Sequence, residues 1–242
     1  KGVVMPQGDI VGLLIMATVA GLAMPAGAIL ATYQGIQPKW LEKELRHGIL
    51  ALGAGALISA VGLVLVPEGI KDVSVFAAIM CFVGGALAFM ALDIYLAKKK
   101  TAGSQLAAML SDFVPESIAL GTTAALGGGT MLLGLLIAVQ NLPEGFNAYR
   151  EMLPKNKQRS TKLIIIFVLM ALLGPLFSLL GFYYLAQFPV VMSGIMLFAA
   201  GGILYSVFQD IAPQIRMENH WLPPLGGILG FLVGLVGFML EG

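Results

Sequence analysis

Residues 111–117 read SDFVPES and residues 140–145 read QNLPEG, and both stretches lie inside long apolar runs. They put Asp112, Glu116 and Glu144 where an ion is most costly, with Pro115 and Pro143 directly before the two glutamates. In each stretch a polar side chain precedes the glutamate by four positions. That spacing stacks Asp112 with Glu116, and Gln140 with Glu144, along one face of a helix. Proline has no N–H to donate, so Pro115 and Pro143 are expected to free the carbonyls of Ser111 and Val139 and to kink both helices.

The surroundings of these two stretches set the fold class. Of 242 residues, 58% are hydrophobic and only 11% are charged, and the mean hydropathy is +0.91. A soluble domain carries roughly a quarter of its residues as charges. Eight apolar runs are expected to be helices: 9–33, 47–66, 75–96, 103–126, 130–150, 162–186, 190–212 and 221–240. Each is about 20–25 residues long, enough to cross a hydrocarbon core of ~30 Å. The expectation is an all-α integral membrane protein, one transmembrane domain over residues 1–242 with eight spans. The first run lacks a small-residue cleavage end and reads as a span, not a removable leader.

Loop charges orient these spans. Lys39, Lys43, Arg46, Lys98, Lys99, Lys100, Arg150, Lys155, Lys157, Arg159, Lys162 and Arg216 fall on odd-to-even connections, against Lys1 and Lys71 on the other side. The positive-inside rule then puts both termini on the non-cytoplasmic side. Trp40 and Trp221 flank spans, as interfacial anchors do. A net charge of +1, with the basic residues spread between apolar runs and not in one patch, gives no pointer to nucleic acid, and none is expected as a partner. Cys81 is the one cysteine, so no disulfide forms within the chain.

Spans 2 and 7 echo each other. GAGALISAVGLVLVPE begins at Gly53 and AAGGILYSVFQDIAPQ at Ala199, which aligns Gly55 with Gly201 and Pro67 with Pro213. The two spans run in opposite directions, so the echo is either an inverted repeat or two Gly- and Ala-rich helices that look alike.

The chemistry of spans 4 and 5 is more pointed. Three carboxylates in a low-dielectric interior must be protonated, paired or bound to a cation. No Lys or Arg lies at comparable depth, which leaves protons or a cation. Asp112, Glu116, Glu144, the Gln140 amide and the freed carbonyls, that of Ser111 among them, form a set of oxygen ligands suited to a divalent ion. His47 and His220 sit in or beside loops. With neither His nor Cys in the set, the chemistry favours Mn, Fe and other hard cations over Zn, without excluding Zn or Cd.

At these residues the chain resembles the ZIP (Zrt/Irt-like) family of divalent-metal transporters, whose paired motifs on spans 4 and 5 usually read H-N-x-P-E-G. The resemblance covers essentially the whole length and implies a 3+2+3 helix arrangement with an inverted pseudo-repeat. It also implies movement of divalent metal toward the cytoplasm by sliding of helix groups, with metal ligands at Asp112, Glu116, Gln140 and Glu144. The chain departs from the pattern at Asp112, where histidine is usual, and at Phe113, where asparagine is usual. Family members with two metals also carry an acid before the span-6 proline, and here that residue is Gly174. Asn141 keeps a second-site ligand, but with Phe113 and Gly174 opposite it the expectation is one metal. On span 7, Gln209 and Asp210 stand where two acids are usual. Asp210 is either a transient ligand on the route or an interfacial acid near the helix end. Glu68, at the outer end of span 2, reads as a solvated helix-end acid, with help in recruiting cations as the alternative.

The function expected from all this is transport of divalent cations into the cytoplasm across a cell (inner) membrane, with lipid and metal ions as partners. No organic cofactor is implied, and a homodimer is left open. One rival is a metal-binding or sensing membrane protein that no longer transports. Another is a proton- or monovalent-cation channel in which Glu116 and Glu144 titrate. An enzyme is not expected: the chain has no H-E-x-x-H helix and no G-x-S-x-G elbow.

Overall fold

A computed structural model describes residues 9–33, 39–99, 102–153, 160–215 and 221–241, and among them it contains helices and short connections but no strand. Eight helical segments follow one another. They are α1 (Ile10–Thr32), α2 (Lys39–Ala60, a π turn Val61–Leu65 and a last turn Val66–Gly69) and α3 (Val75–Lys99). Then come α4 (Ala102–Ala125), α5 (Thr130–Met152) and α6 (Thr161–Ala171 and Leu173–Tyr183). The last two are α7 (Pro189–Ser206, a π turn Val207–Ile211 and a last turn Ala212–Ile215) and α8 (Pro223–Glu241).

The local chemistry explains where they begin and break. Asp9 caps α1 by accepting from the Val11 N–H at 3.0 Å, and α7 starts on Pro189, where a missing N–H costs nothing. Gly127, at φ +73°, turns the chain between α4 and α5. Two details differ from the sequence expectation. The α2 helix starts at Lys39, so most of the polar stretch 37–47 is its first turns, not a loop. Helix α6 is interrupted at Leu172, because Pro175 offers no N–H to the Ala171 carbonyl. Helices α4 and α5 each run on as one helix through Pro115 and Pro143.

By length and composition, α1, α2, α3, α6, α7 and α8 are apolar enough to cross a membrane, the pattern of a multi-pass membrane protein. Helices α3 and α8 bury only 11% and 17% of their most apolar windows, so they present apolar side chains outward, as contact with lipid requires. Helix α5 buries twelve of its side chains, Gln140, Asn141 and Asn147 included. Of the basic-loop and anchor residues, Trp221 is 85% exposed. Lys1, Lys100, Lys155, Lys157, Arg159, Arg216 and His220 lie outside the described residues, as do the side chains of Lys39, Trp40, Lys43 and Lys99.

Helix pairing follows small residues. Helix α1 packs on α5, where a Cβ on Gly27 would meet the Leu142 carbonyl and one on Gly145 the Met24 carbonyl. Helix α6 packs on α4 through Gly121 against Ser178 and Gly181 against Ile118. Helix α8 lies on α2 through Gly55, Gly226 and Gly230, and α3 lies on α7 through Gly85 and Gly201. The π turns of α2 and α7 occupy the same register in the two echoing stretches: Val61 aligns with Val207 just as Gly55 aligns with Gly201. Both turns sit immediately ahead of a proline, and the extra residue closes an i→i−5 bond from Val66 to Val61 and from Ala212 to Val207.

Candidate metal site and its cavity

Helices α4 and α5 touch each other and are shielded by α1, α2, α6 and α7. Their facing surfaces carry the polar residues. On α5, Gln140, Glu144, Asn147 and Glu151 recur at spacings of four, three and four, one stripe of a helix. On α4, Asp112 and Glu116 stack one turn apart.

Glu116 is 1% exposed and Gln140 fully buried, and they join the two helices. The Gln140 Nε2 group donates to both Glu116 carboxylate oxygens, at 2.5 Å each. A charge-assisted bond of this kind is the cheapest way to hold an ion in such a place. Gln140 Oε1 and Asp112 Oδ1 are then buried with no hydrogen-bond donor among the described residues. Asp112 lies within electrostatic reach of Glu144, and Glu144 of Glu116. The arrangement is therefore acceptor-rich and donor-poor, a balance that either protons on the carboxyls or a bound cation would restore. Among the described residues no three His, Cys, Asp or Glu side chains yet converge on one point.

A cavity of about 370 Å³ runs from Asp112 and Glu144 to the end where α3, α5 and α7 finish and α4 begins. Asp93, Asp112, Glu144, Glu151 and Asp210 line it, with Asn147 between them, and no Lys or Arg is among its described lining residues. Toward the other end, Leu120, Leu133, Leu136 and Ile137 are at most 1% exposed and form an apolar plug beyond Glu116 and Gln140.

The structure gives each remaining residue of the expected site a place. Ser111 lines the cavity, its hydroxyl donating to the Ala108 carbonyl at 2.6 Å. Asp210 lines it from the π turn of α7, near Asp93 and Glu151. Gln209 is exposed and is not part of the lining. Asn141 is buried away from the cavity, its Nδ2 donating to the Ala20 carbonyl of α1 at 2.8 Å. Glu68 pairs with Lys71 at 2.6 Å on the surface. Sequence reasoning missed Asp93, Asn147 and Glu151. For the last two the signal was available, since they continue the Gln140–Glu144 stripe. Asp93 carried no such pattern.

The Phe113 ring is 1% exposed and fills the space beside Gly174: a Cβ built on Gly174 would lie 2.9 Å from its ring edge. Replacing both, as Phe113→Asn with Gly174→Asp, is expected to add one bound divalent ion per chain by equilibrium dialysis. Gly174→Asp alone is expected to add none and to destabilise the fold, because the ring remains.

No model of a known protein family matches the chain, and no curated protein matches it.

Proposed function

We propose that the chain carries divalent metal cations across a cell membrane into the cytoplasm through one intramembrane site formed by Asp112, Glu116, Gln140 and Glu144. The observation that carries this reading is the unpartnered buried Asp112 Oδ1 at the head of a cavity lined by five carboxylates and no basic side chain among the described residues; Glu116 and the unpartnered Gln140 Oε1 lie buried behind that lining. Such a cavity concentrates cations and repels anions. It opens at the end that carries the basic connections, which is the cytoplasmic end by the positive-inside rule, and the apolar plug lies toward the outside.

All eight helices span the membrane on this reading, with both termini outside. Helices α4 and α5 are less apolar than the rest because they hold the site and are shielded from lipid. The 3+2+3 arrangement with an inverted repeat is supported by the packing. Exchanging α1 with α6, α2 with α7, α3 with α8 and α4 with α5 maps each close helix pair onto another close pair. The matching π turns of α2 and α7 fit the same exchange. Access from the other side then comes from a slide of α1, α4, α5 and α6 against the α2–α8 and α3–α7 pairs.

Gln140 has a defined part in loading. Its amide nitrogen holds Glu116 in the metal-free arrangement, so the amide turns to offer Oε1 and releases the carboxylate to the same ion. The ligand set is entirely oxygen, which favours Mn(II) and Fe(II) over Zn(II). In proteoliposomes, Mn(II) uptake is expected to persist when Zn(II) is supplied at equal free concentration. Complete displacement by Zn(II) would refute the preference. Because three acidic side chains do not yet converge, a non-transporting metal-binding protein is the second reading. It predicts bound metal with no uptake at all.

A further inference from the structure

The cavity contains a group that the loading site does not use. Asn147 is 8% exposed, and neither its Oδ1 nor its Nδ2 has a partner among the described residues. Leaving a buried amide unpaired costs about 1–3 kcal/mol per group, so such a residue persists where something transient completes it. Its position is informative. Along α5, Asn147 lies about 4.5 Å in helix rise beyond Glu144, and Glu151 about 6 Å beyond Asn147. Along α5 it therefore stands between Glu144, which faces Asp112, and Glu151, while Asp93 and Asp210 enter the same cavity from α3 and α7, with Asp210 in electrostatic reach of both Asp112 and Glu151.

Resting on the transport reading above, we propose that Asn147 is the ligand of a second, weaker station for the divalent cation, between the loading site and the cavity mouth. The Oδ1 atom takes one coordination position of the partly hydrated ion, and Nδ2 donates to a neighbouring carboxylate. Neutrality is the point of the residue. Two clusters of carboxylates in a low-dielectric cavity would each hold a divalent ion tightly, and conduction needs sites from which the ion departs. An amide between them lowers the barrier to transfer without adding a third deep well. An aspartate there would bind more tightly and release more slowly.

The test uses the full chain and Mn(II). Asn147→Leu is expected to slow Mn(II) uptake into proteoliposomes by about tenfold, while Mn(II) bound at equilibrium stays as in the wild type. Asn147→Asp, which keeps size and shape, is expected to retain more Mn(II) and to release it about tenfold more slowly in stopped-flow efflux. Wild-type uptake by both variants would overturn the proposal. So would a loss of uptake by Asn147→Leu matched by an equal loss of equilibrium affinity, which would put Asn147 in the loading site itself. Failure of the underlying reading looks different: the wild type would neither bind nor take up Mn(II), and both ideas would fall together.

Discussion

Glu116→Ala and Glu144→Ala proteins in proteoliposomes are expected to take up divalent metal at least about 100-fold more slowly than the wild type, since changes merely around a metal site already cost 10–100-fold. The two losses arise differently. Removing Glu116 deletes a ligand and also leaves the buried Gln140 Nε2 without its acceptor. Removing Glu144 deletes the ligand facing Asp112 at the head of the cavity and leaves the Glu116–Gln140 link intact. Glu144→Ala is therefore expected to unfold near the wild-type temperature, whereas Glu116→Ala unfolds earlier. Glu144→Gln separates charge from shape: it keeps the side-chain volume and is expected to lose metal binding all the same. Wild-type uptake by both alanine variants would end the transport site proposed for these residues.

Gly55→Leu and Gly201→Leu are expected to destabilise the protein to a similar extent. A Cβ at Gly55 would lie 1.9 Å from the Gly227 carbonyl oxygen, and one at Gly201 would lie 1.9 Å from that of Phe82. Neither backbone can yield without parting the helix pair, α2 from α8 or α3 from α7. Overpacking costs about 1–3 kcal/mol in ordinary cores, and here the obstacle is backbone, so the upper end applies. For a chain of this size that is a fall of about 5–10 °C in unfolding temperature. Gly84→Leu is the control, because nothing lies within 4 Å of a Cβ at Gly84. Unequal losses at Gly55 and Gly201 would count against the two-fold relation between the halves.

The helices were readable from the sequence because lipid makes apolar length a direct record of span. Interruptions such as KKKTAG and QFP marked most boundaries to within a few residues. The break at Leu172 and the two π turns were not readable in advance, because a proline in an apolar run has several outcomes. At Pro175 it interrupts the helix, at Pro67 and Pro213 it is accommodated by an extra residue, and at Pro115 and Pro143 the helix continues. Which outcome occurs depends on neighbouring helices, and a local pattern does not record them. The site followed the same rule. Residues on the stripe of α5 could be found by spacing. Asn141 does not line the cavity: its Nδ2 donates to the Ala20 carbonyl of α1, and that orientation depends on the rotation of α5, which spacing alone does not give. Asp93 entered the cavity only through the packing of α3 on α7.

The width of the cavity bears on where the ion is dehydrated. At about 30 Å³ per molecule, roughly a dozen waters fit in 370 Å³, twice what a six-coordinate shell requires. On the transport reading, an ion leaving Asp112 and Glu144 would have room to regain its hydration shell inside the protein, before it reaches the mouth. The cost of stripping water then falls on the outward side alone, where the apolar plug leaves no room for a shell. Exchange of shell water for protein oxygen, fast for large soft-shelled ions and slow for Mg(II), becomes the step that ranks ions by speed, separately from the ligands that rank them by affinity.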